Sequence, residues 1–396
     1  PLDDGPEDHR LHQQEPTMIT LSSAFECGNG KRIQPLGEDR FRIEVDGDKQ
    51  GGYCVYFCFE IANSGPEQRV TVELWEDSQF GGPTGFPVFF PTTIWVRPGT
   101  RERFRPLHES VPELLGDHVV FSVPVAAEGR AVVAMTYVAP YSQVTRQLQD
   151  LAKEHPDRCA LFSLGRSAQG REILGLRAGT PGRPRVYCIA GQHPHEHPGV
   201  WATAGIADFL SSRLPEAEAL RQQVEAWIVP MVNPDGNVAG RNAFNAEGLD
   251  LYPAFGASPD APEPEAHESR LLWAWATGEK PDLWMNFHAY TGWKENSEFP
   301  YEGWYEVADR GLFQDPGQRR LYEALCDTVR LETDAPSTHE VASVHAENTL
   351  CHQLAKRYGI PHLFYELNCA TSGKHRAARV GTHVFRQAVQ TLLHHR

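Results

Sequence analysis

The sequence lacks three features that would place it in familiar classes of protein. No apolar run approaches the roughly 20 residues that a membrane-spanning helix needs, and the N-terminus lacks the layout of a signal peptide. No C-x-x-C pair is present, which excludes the usual cysteine zinc and redox motifs. Clustered Lys and Arg are missing and the formal net charge is -15, which argues against binding to nucleic acid or to an anionic membrane. We therefore expect a soluble, cytoplasmic protein.

The 396 residues are enough for two domains with filled cores. Residues 1–18 are acidic, contain proline and have few large apolar side chains, so we expect a disordered lead. The patterns described below then divide the chain into residues 19–139 and residues 140–396. Eight cysteines are scattered along the chain, and several lie inside apolar runs, which predicts reduced structural thiols rather than disulfides.

Residues 19–139 carry the signals of β-strands. Phe41, Ile43 and Val45 alternate with polar residues, and the same alternation recurs around residues 70–74. Gly- and Pro-containing turns separate further apolar runs at short, regular intervals, and no convincing helical pattern is present. These residues are therefore predicted to form an all-β antiparallel sandwich.

The period of the apolar residues changes at residue 140. Val144, Leu148 and Leu151 fall at helical spacing behind Ser142, which is predicted to cap a helix. Apolar strands and amphipathic helices then alternate to the end of the chain. Alternation of this kind is typical of an α/β domain, here a mixed sheet flanked by helices over residues 140–396.

One loop in this second region concentrates metal-binding side chains. His193, His195, Glu196 and His197 follow an apolar strand at residues 186–190 and precede a helix predicted from about residue 201. Open α/β sheets bind ligands at the carboxyl ends of their strands. Two prolines, at positions 194 and 198, bar a helix through the cluster, so it is not an H-E-x-x-H helix. His193 and Glu196 form an H-x-x-E pair that needs a third ligand from elsewhere.

A series of motifs in the right order resembles the zinc metallocarboxypeptidase family over about residues 141–396, and the all-β lead resembles the layout of its cytosolic branch. The motifs are G-x-S-x-x-G-R at residues 165–171, H-x-x-E at 193–196, N-P-D-G at 233–236, G-x-D-L at 248–251, Glu265 after a proline-rich loop, His288 at a strand end and Glu366 in a late apolar strand.

The resemblance implies a site and a reaction. One Zn²⁺ per chain would be held by His193, Glu196 and His288, polarising the scissile carbonyl and activating water. Glu366 would be the general base that takes the proton from water and returns it to the leaving nitrogen. Arg241 would help to bind the developing oxyanion and the substrate. His195 and His197 are interpreted as supporting or surface groups.

The sequence departs from this family where specificity is decided. The family follows G-x-D-L with Asn-Arg, whereas this chain has Tyr252-Pro253, and neither side chain can replace a guanidinium on a substrate carboxylate. A family tyrosine that contacts substrate is also missing, with His345 or Asn348 as possible substitutes. Trp293 belongs to an aromatic run that is a candidate wall of the substrate cleft. Other candidate cations for the carboxylate are Lys294, Arg376 and Arg379.

The sequence leaves three functions open. The favoured one is a zinc metallocarboxypeptidase with atypical C-terminal specificity, acting on a peptide or a small peptide-like substrate. The second is a zinc-dependent deacylase or amidase of small N-acyl amino acids, which a small pocket capped by another domain would favour. The third is a non-catalytic peptide-binding protein. The oligomeric state has no signal in the sequence.

Overall fold

A computed structural model describes residues 18–48, 53–79, 85–86, 90–99, 102–255, 264–291, 302–306, 310–332, 340–341 and 346–396. All but the last residue of the predicted disordered lead therefore lie outside the described residues. Below, residues 18–139 are called the β-rich part and residues 140–396 the α/β part.

The strands of the β-rich part form two sheets, and the residues described there include no helix. The strands are β1 (Ile19–Ser22), β2 (Arg32–Pro35), β3 (Arg40–Glu44), β4 (Cys58–Asn63), β5 (Gln68–Trp75), β6 (Trp95–Pro98), β7 (Arg105–Pro106), β8 (Glu113–Leu115), β9 (His118–Val125) and β10 (Arg130–Ala134). Their order is β1-β4-β10-β6-β7 in one sheet and β2-β3-β5-β9-β8 in the other.

The predicted all-β lead is confirmed. Neighbouring strands pair in antiparallel fashion, with the exception of β3 and β5, which are parallel. Residues along β9 alternate between buried and partly exposed positions, as expected for a strand with one face on a core. Phe41 and Ile43 are both buried, in agreement with the predicted alternation.

The α/β part contains one mixed sheet with helices on both faces. Its strands are β11 (Cys159–Arg166), β12 (Glu172–Gly179), β13 (Arg185–Ala190), β14 (Glu225–Val229), β15 (Leu283–Tyr290), β16 (Gly303–Glu306), β17 (Glu340–Val341) and β18 (His362–Asn368). Its helices are α1 (Tyr141–Glu154), α2 (His197–Ser211), α3 (Pro215–Gln223), α4 (Pro234–Val238), α5 (His267–Glu279), α6 (Pro316–Glu332), α7 (Leu350–Tyr358) and α8 (Lys374–His395), with short 3-10 turns at Arg310–Leu312 and Ala346–Asn348.

The strand order is β11-β12-β14-β13-β15-β18-β16-β17. The four central strands β14, β13, β15 and β18 are parallel, whereas β12 and β16 join them in antiparallel fashion. Side chains of β13 alternate between two cores: Val186 and Cys188 pack with α2 and α8, and Tyr187 and Ile189 pack with α5 and α7. The mixed sheet predicted from the sequence is therefore confirmed.

Two local predictions in the α/β part were wrong. Ser142 does not cap α1, which begins one residue earlier at Tyr141 with Pro140 as its N-cap residue. The Ser142 backbone N–H and hydroxyl instead donate to Glu26 of the β-rich part. Helix α2 begins at His197 rather than at residue 201, because proline is tolerated in the first turn, where its missing N–H would have no helical partner.

The β-rich and α/β parts share one continuous apolar core, which includes Val133, Trp201 and Phe385. Buried polar contacts cross the same boundary. The Asn242 Oδ1 atom accepts the N–H groups of Val55 and Tyr56 at 2.9 and 2.8 Å. None of the eight cysteines, all of which are described and buried, takes part in a disulfide. Among the described helices, none combines the length and the apolar character required to cross a bilayer.

Candidate metal centre and active site

The loop that carries the metal-binding side chains begins with a glycine at the end of β13. Gly191 has a positive φ of 71°, and a Cβ atom there would lie 3.2 Å from Val200 Cγ2, so both the conformation and the space favour glycine. Asn233 of the N-P-D-G segment fixes the loop from the next strand end. Its side-chain amide donates to the Gln192 carbonyl at 3.0 Å, and its backbone N–H donates to the Gly191 carbonyl at 3.1 Å.

Three side chains predicted to bind metal converge at this point. The Nδ1 atom of His193 lies 2.6 Å from Glu196 Oε1, and the Nδ1 atom of His288 lies 2.7 Å from Glu196 Oε2. His288 comes from β15, the parallel neighbour of β13, so the sheet itself brings it to the loop. All three residues are buried, with exposed fractions of 6% or less. One ligand atom from each lies within 4.8 Å of the others.

Neighbouring acceptors orient both imidazoles. His288 Nε2 lies 3.2 Å from Gln192 Oε1, which also accepts from the Asn286 amide at 2.7 Å. Because that oxygen can only accept, Nε2 of His288 carries the proton and Nδ1 presents a lone pair. His193 Nε2 lies 3.3 Å from Asp250 Oδ1 of the G-x-D-L segment, close enough for a charge contact but without the geometry of a hydrogen bond. Acceptors behind the imidazoles are what metal-binding histidines normally have.

The site's chemistry suits a cation. His288 Nδ1 and Glu196 Oε2 are buried 2.7 Å apart, yet they have no hydrogen-bond partner among the described residues. Two lone pairs at this distance repel unless positive charge lies between them. Burial opposes ionisation of Glu196, but His193 and His288 outweigh it and hold the pKa of this carboxyl well below its usual range. Two imidazoles and a carboxylate match the ligand set of a catalytic zinc.

Glu366 lies on β18, directly beside the strand of His288. The two residues are register partners in the parallel pair, so their side chains project from the same face of the sheet. The charge of Glu366 also raises the pKa of the Tyr53 and Tyr252 phenols, although burial is the larger cause for both. The structure therefore brings Glu366 into the electrostatic surroundings of the three metal-binding side chains.

Two tyrosines flank the imidazoles. Tyr252 lies with its ring centroid 5.6 Å from that of His193 and 5.4 Å from that of His288. Tyr53, from the β-rich part, lies 6.0 Å from His193 and 5.9 Å from His195. Burial raises the pKa of both phenols, so both hydroxyls stay protonated near neutral pH and can act as hydrogen-bond donors.

His195 and His197 are not surface groups, as the sequence allowed, but are buried in supporting positions. His195 Nδ1 lies 2.5 Å from the Asn242 carbonyl. His197 Nδ1 accepts the Ala139 N–H at 3.2 Å, and its Nε2 lies 3.2 Å from the Tyr56 hydroxyl. Burial lowers the pKa of His197 to about 3, so this imidazole is neutral. Both histidines tie the metal loop to its neighbours.

The remaining motifs support the site through buried hydrogen bonds. Asp235 of N-P-D-G is buried and accepts from Ser167 Oγ and Arg171 NH1, both at 2.7 Å, which explains the G-x-S-x-x-G-R segment. Glu265, the glutamate matched to the family after the proline-rich loop, is exposed. Glu268, three residues later, is fully buried and accepts from Asn245 Nδ2 at 2.6 Å.

The structure places the candidate substrate-binding residues in different surroundings. Arg241 is exposed, and among the described residues its guanidinium makes no hydrogen bond or ion pair. Arg376 is already neutralised, because buried Glu302 accepts from both of its terminal nitrogens at 2.6 and 3.0 Å. Arg379 is exposed on α8. Trp293, Lys294 and His345 lie outside the described residues.

Sequence reasoning missed three residues of this site: Tyr53, Gln192 and the role of Asp250. Gln192 and Asp250 stand inside or next to motifs, and the need of each ligand imidazole for an acceptor could have pointed to them. Tyr53 gave no such signal. It lies 140 positions before His193 in a region whose pattern indicates only strands.

Comparisons with known proteins agree with the motifs. A family model described as zinc carboxypeptidase matches residues 144–363. The chain is 26% identical over 264 residues to cytosolic carboxypeptidase 2 of Danio rerio, covering 61% of this chain and 36% of the relative. It is 29% identical over 362 residues to cytosolic carboxypeptidase 1 of Gallus gallus, covering 80% of this chain and 29% of the relative. The chain thus spans only about a third of the length of these two relatives.

Solved structures share the whole fold. A metallo-carboxypeptidase from Burkholderia cenocepacia superposes with a TM-score of 0.79 at 18% identity, over 95% of this chain and 99% of that one. A metallo-carboxypeptidase from Pseudomonas aeruginosa, in complex with (2-guanidinoethylmercapto)succinic acid, has a TM-score of 0.76 at 18% identity, over 95% of this chain and 100% of that one. The β-rich part preceding a carboxypeptidase-like sheet is therefore a shared architecture. Since the family model covers more than half of its residues, the chain belongs to the zinc carboxypeptidase family.

Proposed function

We propose that this protein is a zinc-dependent hydrolase that cleaves a peptide or amide bond near the end of a peptide-like substrate. The observation that carries the proposal is the convergence of His193, Glu196 and His288, with both imidazoles oriented so that Nδ1 faces the carboxylate. One Zn²⁺ per chain would bind there. The names of the relatives support a cytosolic location.

Zinc bound by these side chains supplies a Lewis acid that polarises the scissile carbonyl and activates water. Glu366 accepts the proton of the attacking water and returns it to the leaving nitrogen. Its place beside His288 in the sheet supports this role. Tyr252 and Tyr53 offer neutral phenol donors next to the imidazoles, and these hydroxyls position the substrate and share in stabilising negative charge on the carbonyl oxygen.

Arg241 is a weaker candidate for that last role. Its side chain is exposed, and no described contact ties its guanidinium to the imidazoles. The rings of the two tyrosines, by contrast, lie against the imidazoles. We therefore assign the oxyanion donors to the tyrosines first and to Arg241 second.

The specificity we propose is atypical for a carboxypeptidase. Where the family has a carboxylate-binding Asn-Arg pair, Tyr252 packs between His193 and His288, and Pro253 follows it. Neither residue supplies a cation, and Arg376 is held by Glu302. A substrate with a modified terminus, or one recognised through groups other than its α-carboxylate, fits this arrangement better than an ordinary C-terminal residue. Trp293 and His345 stay candidates for the substrate cleft.

The test is metal analysis of the purified protein followed by digestion of an unbiased peptide library read by mass spectrometry. We expect about one zinc per chain, lost in His193→Ala, Glu196→Ala and His288→Ala, together with trimming of a restricted set of peptides. Arg319→Gln, an exposed change on α6, is the control and should keep both metal and activity. Stoichiometric zinc in all three ligand variants would exclude this site.

The alternative, a deacylase of small N-acyl amino acids, is favoured by one observation. Tyr53 brings the β-rich part against the metal-binding side chains, as expected of a pocket covered by a second part of the chain. A panel of N-acetyl amino acids assayed beside the peptide library separates the two functions. Turnover of the small amides with no peptide trimming would select the deacylase.

A further inference from the structure

A cavity of about 290 Å³ lies between the β-rich part and the start of α8 and shares no lining residue with the candidate metal centre. Its basic lining residues are Arg97, Arg103 and Lys374, with His375 beside them. They come from two distant stretches of the chain that meet only in the folded protein. In a chain with 37 Lys and Arg against 52 Asp and Glu, a local excess of positive charge requires an explanation.

The described residues include no carboxylate within ion-pair distance of these cations. Among the residues that the structure describes, neither Arg97, Arg103 nor Lys374 forms an ion pair with a carboxylate. The Arg97 Nε atom is buried without any hydrogen bond, and its guanidinium lies over the Phe104 ring at 5.3 Å. The Arg103 Nη1 atom lies 2.9 Å from His375 Nε2 and, among the described residues, contacts no carboxylate. A buried guanidinium nitrogen without an acceptor is costly, and an anion would remove that cost.

Lys374 resembles the two arginines in lacking an ion pair within the described residues. Its ammonium lies over the Trp201 ring at 4.0 Å and has no hydrogen-bond acceptor in the described part of the chain. Burial lowers the pKa of Lys374, Asp208 opposes that effect, and Arg103 lowers the pKa further. The ammonium group therefore stands in a partly buried place that feels both the Asp208 carboxylate and the Arg103 guanidinium.

The two acidic residues in the lining form no ion pair with the three cations within the described part of the chain. Glu26 is engaged by Ser142, whose N–H and hydroxyl donate to it at 2.8 and 2.5 Å. Glu102 is exposed and, among the described residues, forms no ion pair. The backbone adds further positive potential, because α8, a helix of 22 residues, begins at Lys374 and has no side-chain cap.

We propose that this cavity binds a small, multiply charged anion, which Arg97, Arg103 and Lys374 together hold at the boundary between the two parts of the chain. The suitable chemistry is a phosphate monoester or a dicarboxylate, because either offers several acceptors to guanidinium and ammonium donors. Phe104 and Tyr137 also line the cavity and provide apolar surface for the organic portion. The volume restricts the ligand to a small molecule.

The test titrates the zinc-loaded full chain with inorganic phosphate in one arm and succinate in the other, against chloride at matched ionic strength, by calorimetry and thermal unfolding. We expect saturable binding and a rise in Tm in at least one arm, and the arm that responds identifies the anion chemistry. Arg97→Gln and Lys374→Gln should each weaken the affinity by about tenfold or more, the size expected for one charge-assisted contact.

Controls separate this site from the metal centre and from general stability effects. Arg319→Gln, at an exposed position of α6, should bind the anion like the wild type. Arg103→Gln, at an exposed position, tests the cavity even if the other two variants fold poorly. The proposal is overturned if neither anion binds, if binding survives in all three cavity variants, or if it is lost only in His288→Ala, which would place the anion at the metal centre.

Discussion

The ring of Tyr53, from the β-rich part, lies 6.0 Å from the ring of His193, a candidate zinc ligand 140 positions later in the chain. This contact is held by backbone pairing. The Asp48 N–H donates to the Tyr53 carbonyl at 2.8 Å, and Asp48 Oδ2 accepts the Ala243 N–H at 2.5 Å. The β-rich part therefore supplies a side chain to the site as well as a surface.

Tyr53→Phe should lower kcat/KM by about tenfold or more, because it keeps the ring and removes the hydroxyl that we propose bonds the substrate. Zinc content should stay at the wild-type value. Tyr56→Phe is the matched control: it removes a hydroxyl bonded to the Cys27 carbonyl, so we expect a loss of about 1 kcal/mol in stability and nearly normal kcat/KM. Equal kinetics for Tyr53→Phe and wild type would exclude the phenol from substrate contact.

Glu366→Gln should keep the zinc and the fold but lose about two or more orders of magnitude in kcat, because only the proton transfer is removed. Steady-state kinetics together with metal analysis provide the measurement. Glu323→Gln, a change in an exposed ion pair on α6, should leave both quantities unchanged. A fully active Glu366→Gln enzyme would mean that another group is the base.

A peptide with a free C-terminus should have little advantage over its C-terminal amide, within about tenfold in kcat/KM, because Tyr252-Pro253 supplies no guanidinium for the carboxylate. Losing such a charge pair typically costs about 2 to 5 kcal/mol, roughly 30-fold to several thousand-fold in affinity. Both peptides should be assayed under zinc-replete conditions. An amide cleaved at least a hundredfold more slowly than the free acid would reveal a carboxylate-binding cation elsewhere.

Stability should fall as the pH drops from about 6.5 to 5. Burial lowers the pKa of His362 to about 3, whereas an unfolded histidine titrates near ~6.5, so in this range the unfolded state binds a proton that the native state does not. The shift corresponds to about 2 kcal/mol at pH 5 for this residue. Urea unfolding at pH 7 and pH 5 gives the measurement.

His362→Gln should reduce the loss of stability between pH 7 and pH 5, because the buried imidazole no longer resists protonation. His108→Gln, at an exposed position, should leave the pH dependence as in the wild type. An unchanged slope in the His362 variant would mean that other groups cause the acid sensitivity. His197, whose pKa burial also lowers to about 3, is the next candidate.

The sequence predicted the features that depend on short stretches of the chain. It failed for the features that depend on contacts between distant segments. The H-x-x-E loop could be found because its strand, glycine and ligands are adjacent. His288 was reached only through the order of family motifs, since the parallel pairing of β13 and β15 joins residues about 97 positions apart. Ser142 is a residue type that often caps helices, but its backbone N–H donates to Glu26 of the β-rich part instead. Glu268 rather than Glu265 is buried because α5 begins at His267 and turns Glu268 inward.

Asn242 links the two parts of the chain, since its side chain accepts from Val55 and Tyr56 and donates to the Asp46 carbonyl at 2.9 Å. The backbone carbonyl of Asn242 lies within hydrogen-bond distance of His195 Nδ1 in the metal loop. A chain shortened to its α/β part would lose the partners of this amide and expose the shared core to water. The β-rich part is thus expected to be inseparable from the α/β part, so that the whole chain melts in one cooperative step and cannot be trimmed to the α/β part alone.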